Sequence, residues 1–193
     1  MDCSRLDGAY RALLHAARSV LAGGSGCDPH GAMCWTLCHI ALYDQILVAA
    51  AREIACGETS VVVESGPEMC PDVIGAVIAQ RTPKDLVDLV DCTALNLLSA
   101  LESIPDERAD TAVRVRLATR TGAYAFDDWL SWRDLIAERA NEQLPRHARF
   151  ISLLAELAGA EEADRPTNCR AGHAHAQVRF LEPCPHGSDD DDA

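Results

Sequence analysis

Aromatic side chains are scarce, at 5% of 193 residues, and so are bases, with 17 Lys and Arg against 30 Asp and Glu. The resulting formal charge of −13 repels phosphate backbones, so no nucleic-acid partner is expected. No apolar run approaches the roughly 20 residues that cross a bilayer. The start, Met1-Asp2-Cys3-Ser4, lacks the basic and apolar regions of a secretory signal. The expectation is a cytoplasmic protein that engages no membrane. There is no Gly-rich phosphate loop, no Gly-x-Ser-x-Gly elbow, no His-Glu-x-x-His motif and no repeat of fixed period. Nine cysteines, odd in number and irregularly spaced, argue against a disulfide framework and for reduced, mainly buried thiols.

What is present is a 48% hydrophobic fraction, enough for one packed domain of this length and too much for wholesale disorder. Residues 1–159 form the expected domain. From Ala160 the chain becomes polar and proline-punctuated, carries a net charge of −5 and closes on four consecutive aspartates; residues 160–193 read as an acidic, mostly disordered tail. Within the domain, Ser4-x-x-Asp7 opens a helix over 4–22 that ends at Gly23-Gly24. Met33 to Ala55 contains no Gly or Pro and is apolar around most of its circumference, which suits a central helix. Val61-Val62-Val63 is a candidate strand, and Pro71 to Gln80 a short helix. Thr82-Pro83-Lys84-Asp85 combines an N-cap, a proline at the first helical position and an acid three residues on, starting a helix to about Ile104. Val113-Arg114-Val115-Arg116-Leu117 alternates with period two and precedes a turn, predicting a β-hairpin over 112–127. Ser131-x-x-Asp134 restarts a helix to about Leu157, with a kink near Asn141 to Pro145 where proline removes a hydrogen bond. The fold class is therefore all-α: a four-helix bundle with a small β-hairpin inserted before the last helix.

Two histidines lie within this pattern. His39 has Trp35 and Tyr43 one turn to either side on the same helical face, and His147 follows Gln143 by one turn. Each histidine alone also fits a structural residue bonded to a carbonyl. Cys34 and Cys38, one turn apart among apolar residues, read as packing groups. In the tail, Cys169, His173, His175, Cys184 and His186 are suitable ligand types, but their spacing matches no paired-knuckle pattern.

The run Trp35-x-x-x-His39-Ile40-x-x-x-Asp44, the hairpin before the last helix and Gln143-Leu144-Pro145-Arg146-His147 together resemble the DinB/YfiT-like four-helix bundle superfamily, which includes mycothiol-dependent maleylpyruvate isomerase-like proteins. The resemblance covers about residues 5 to 158. It implies a divalent metal, zinc or nickel, held by a histidine of the second helix and a His-x-x-x-His pair of the last. His39 matches the first ligand and His147 the third, with Gln143 in the middle position. An amide is a poorer ligand for these metals than imidazole, so such a site is degenerate unless Glu142 or Asp44 turns inward. The resemblance also implies a low-molecular-weight thiol as cosubstrate.

The leading expectation is a small enzyme acting on a small organic molecule by transfer, isomerisation or hydrolysis. His39 or His147 would be the acid or base, oriented by Asp44 or Glu142, and Trp35, Tyr43, Gln143 and Arg146 would hold the substrate. The alternatives are a small-molecule binding or self-protection protein with a lapsed metal site, and a purely structural dimerisation bundle. Homodimerisation is compatible with all three.

Overall fold

The computed structural model describes residues 3–23, 29–66, 69–118 and 124–163. It is mostly helical with one small sheet. In chain order the elements are α1 (Ser4–Ala22), α2 (Pro29–Cys56), β1 (Val61–Ser65), α3 (Pro71–Ala79), α4 (Pro83–Glu102), β2 (Ala112–Ala118), β3 (Tyr124–Ser131), α5 (Trp132–Glu138), a π turn (Arg139–Gln143) and α6 (Leu144–Ala163). Helix α2 packs along α4, and α1 along both α6 and α4, while α3 and β1 lie against α2. Leu13, Ala17, Leu37, Ala41, Leu47, Leu97 and Ile151 are sealed in the core that these contacts enclose.

The local signals explain most boundaries. Thr82 accepts from the Asp85 amide at 3.2 Å while the Asp85 carboxylate accepts from the Thr82 amide at 2.8 Å, a closed capping box with Pro83 at the first position,. Ser131 Oγ likewise accepts from the Asp134 amide at 3.0 Å and starts α5. At α1 the N-cap falls on Cys3 without a side-chain cap, so the Ser4-x-x-Asp7 box does not form. Asp7 instead pairs with Arg11, one turn on, at 2.6 Å. Helix α2 is followed by Gly57 at φ 100°, where the Arg108 guanidinium lies 3.2 Å from the position a Cβ would take. A side chain there would be strained by both backbone and neighbour.

Two expectations need correction. The β element is a three-stranded sheet rather than an isolated hairpin. β2 and β3 pair antiparallel, and β1 joins β2 in parallel with Val61 opposite Val113 and Val63 opposite Val115. All four valines are buried, which is why the strand is recruited: on its own it would leave Val61 and Val63 in water. On the outer face Arg114 pairs with Asp127 at 2.7 Å and Arg116 with Glu64 at 3.2 Å.

The second correction concerns apolar length. Helix residues Gly31–Cys56 hold an 18-residue window of mean hydropathy 1.3, long and apolar enough to pass for a membrane span by length and composition. Reading by runs stops at Asp44, Arg52 and Glu53, whereas an average passes over them. About 61% of that window is buried in the protein, as in the core helix of a packed domain, so this is weak evidence for a span.

The expected kink is a π turn. Pro145 has no N–H to give the Asn141 carbonyl, and the Leu144 N–H bonds the Arg139 carbonyl five residues back,. The extra residue shifts the inward face by one position. Trp132, Leu135 and Ile136 are buried before it, Arg139 and Ala140 at its start, and Leu144 and Ile151 after it, while Arg146 and Phe150 turn outward.

Helix α6 continues to Ala163, past the change of composition at Ala160. The rest of the tail, residues 164–193 with the Cys/His cluster, lies outside the described residues.

Candidate functional site

The side chains that the π turn and α2 bring together form a buried polar cluster beside two imidazoles. Arg139, 1% exposed, enters from the π turn and meets Asp44, 0% exposed, from the middle of α2. Arg139 Nη2 lies 2.6 Å from Asp44 Oδ1, and the Tyr10 hydroxyl of α1 donates to the same oxygen at 2.7 Å. Nη2 also reaches the Ile40 carbonyl at 3.4 Å, and Nη1 donates to Gln143 Oε1 at 3.2 Å. Gln143 spends its own amide N–H on Glu138, at 3.2 Å. The Arg139 guanidinium lies 5.1 Å from the centre of the Tyr43 ring, within cation–π range. Asp44 Oδ2 and Arg139 Nε, an acceptor and a donor, are buried without a hydrogen-bond partner among the described residues.

Burial pushes the Asp44 carboxyl upward, against the pull of Arg139 and the hydrogen bonds it accepts. For Arg139, burial alone would favour loss of the proton, but the charge and hydrogen bonds of Asp44 and Tyr10 together outweigh it and drive the guanidinium further up. Arg139 therefore keeps its proton at neutral pH,. Tyr10, buried and facing the carboxylate, moves well above its ordinary value and stays a donor.

His39 and His147 do meet. Their ring centroids are 6.3 Å apart with planes inclined at 58°, and both are half-buried. Burial, reinforced by the Arg139 charge, lowers His39 to about 4. Burial, Arg139, His39 itself and Arg146 lower His147 to about 4. Both rings are therefore neutral at pH 7, each with one N–H donor and one bare nitrogen.

Other expected roles are reassigned. Asp44 orients no imidazole; its hydrogen bonds go to Tyr10 and Arg139. Glu142 is exposed at the π turn and Arg146 is exposed on α6, because the extra residue of the turn carries both away from the core; Arg146 reaches the site only through its charge on His147. Tyr43 is buried as a wall beside Arg139, and Trp35 is half-buried against the core. Cys34 and Cys38 are buried, and burial raises the Cys38 thiol, as expected of an inert group,. Cys3 and Cys70 are only partly buried and Cys56 and Cys92 are exposed, so the described cysteines are not mainly buried as expected.

A three-ligand metal centre does not fit these residues. Among the described residues no group of three or more His, Cys, Asp and Glu side chains converges. The amide oxygen at the middle ligand position already accepts from Arg139, and the same guanidinium places a fixed positive charge close enough to depress both imidazoles. A divalent cation there would be repelled as well as under-coordinated.

Arg139, the residue that organises the cluster, was missed by sequence reasoning. Its signal was available: Leu135, Ile136, Ala140 and Leu144 surround it at core spacing, and α2 offers an acid, Asp44, in the middle of an apolar helix. Comparison with protein-family models, with curated proteins and with solved structures gives no match.

Proposed function

We propose that this chain is a DinB-like four-helix bundle, formed by α1, α2, α4 and the α5–α6 arm, that binds a small organic molecule in the cytoplasm between His39 and His147. The two histidines match the family's ligand set, and the position that would need the remaining ligand holds Gln143, whose amide oxygen is already taken by Arg139. The observation that carries this reading is the adjacent pair of neutral imidazoles beside a buried cation. Neutral rings offer a donor and an acceptor without demanding a counter-charge, which suits an uncharged or anionic ligand. Binding is favoured over acid–base catalysis because an imidazole near pKa 4 is a weak base at pH 7, far from the matched value that proton transfer rewards.

The partial exposure of two contiguous rings supports a second reading, an enzyme in which one imidazole takes the proton of a small thiol or of water. Turnover would have to survive that weak basicity.

The test is a histidine side-chain NMR titration with short dicarboxylic acids and with small thiols such as cysteine. Ligands of this site shift the His39 and His147 signals together and leave exposed His15 unmoved, and His39→Ala abolishes the His147 response. Shifts confined to His15, or none at all across the panel, would contradict the reading. Conversion of a probe, lost in His147→Ala, would favour the enzyme.

A further inference from the structure

The outer face of α6 carries large apolar side chains that nothing in the described fold covers. Phe150 is 41% exposed, Leu153 54% and Leu157 65%. Spaced three and four residues apart, they form one continuous stripe, the seam of a helix that packs against another helix. The stripe lies on the outer side because of the π turn, which rotates α6 so that Leu144 and Ile151 face the core and Phe150 faces out. An apolar seam of this length, flanked by charge, marks an interaction surface more often than a bare surface.

The charges beside the stripe select the partner. Arg149 flanks it towards the N-terminal end of α6, and Glu156, seven residues on, flanks it on the same edge. All three residues at this edge and end, Arg146, Arg149 and Glu156, are exposed, and none has an ion-pair partner among the described residues. In an antiparallel pairing of two such helices, positions on this edge face the same edge of the other helix. A two-fold axis near Leu153 therefore brings Arg149 of each copy to Glu156 of the other, twice, while the leucines and Phe150 interdigitate between them. A parallel pairing would set this edge against the opposite edge of the other helix, and Arg149 and Glu156 would not meet.

We infer that α6 is a homodimer face: a second copy of this chain packs antiparallel on the Phe150–Leu153–Leu157 stripe, and the Arg149–Glu156 pairs fix its direction. A symmetric contact of this kind closes on itself and leaves no open edge to propagate. One helix from each chain is a small interface, so the dimer is reversible at about micromolar concentration.

Sedimentation equilibrium of the full chain across a concentration series tests it. The expected result is a monomer–dimer equilibrium, with the heavy species at twice the 20.8 kDa of one chain, and Leu153→Glu yields only monomer with an unchanged helical circular-dichroism spectrum. Arg149→Glu weakens association by about fivefold to tenfold, since the broken pair occurs twice. Arg149→Glu combined with Glu156→Arg restores it. These two positions are exposed, so their readout does not depend on whether the leucine variant folds. A parent that stays monomeric at every concentration, as it would if its own acidic tail covered α6, overturns the inference, and so does a charge swap that fails to rescue.

Discussion

Acidification from about pH 7.5 to about pH 5 should destabilise the protein through His39 and His147 together. Their pKa values fall from 6.5 in the unfolded chain to about 4 in the fold. A histidine depressed in the native state binds its proton more readily when unfolded. Its stability contribution is therefore complete above the unfolded value and is lost as pH falls from 6.5 towards 4. At pH 5 the unfolded imidazole is almost fully protonated and the folded one almost fully neutral, which costs about 2 kcal/mol per ring and about 4 kcal/mol for the pair. That is a large share of the 5–15 kcal/mol typical of a domain. Urea unfolding at half-unit pH steps measures the loss, and His39→Gln with His147→Gln, which cannot titrate, should flatten the curve between pH 6.5 and 5. The reasoning fails if the parent is equally stable at pH 7 and pH 5, or if the double variant keeps the parent's slope.

The ion pair and the helix cap give simpler tests. Asp44→Ala strands the Arg139 cation in the core and should cost about 3–5 kcal/mol, whereas Tyr10→Phe, which removes one hydrogen bond to the carboxylate, should cost about 1.5–3 kcal/mol; denaturant midpoints read both. Thr82→Ala opens the capping box of α4 and should cost about 1 kcal/mol, seen as a fall in Tm with no change at the imidazoles by NMR.

Much of the fold was legible because its signals are local. Thr82 to Asp85 names a helix start by itself, and the alternation of Val113 to Leu117 names a strand. The parallel union of β1 with β2 was not legible, since Val61 and Val113 are far apart in sequence and no turn residue reports a parallel neighbour. At the site, Pro145 announced a break in the last helix, and His39 and His147 were selected together. The width of the break was invisible, and it decides the rest. Arg139 keeps the inward spacing of α5, while the extra residue of the π turn exposes Glu142 and Arg146, so carboxylates expected to steer an imidazole either face water or hold the arginine. Buried charge pairs escape sequence reading because each partner looks like a solvated residue until a second element faces it.

The central claim is that the site holds two neutral imidazoles and a buried arginine in place of a three-ligand metal centre. Calorimetric titration of the untagged protein with zinc, repeated on Gln143→His, tests it most directly. The account predicts weak binding by the parent, with a Kd above about 10 μM, as expected of two imidazoles without a third good ligand. Gln143→His should bind more tightly, but the Arg139 charge should hold it short of a full three-histidine site. Stoichiometric binding by the parent at nanomolar affinity, abolished by His39→Ala, would contradict the claim.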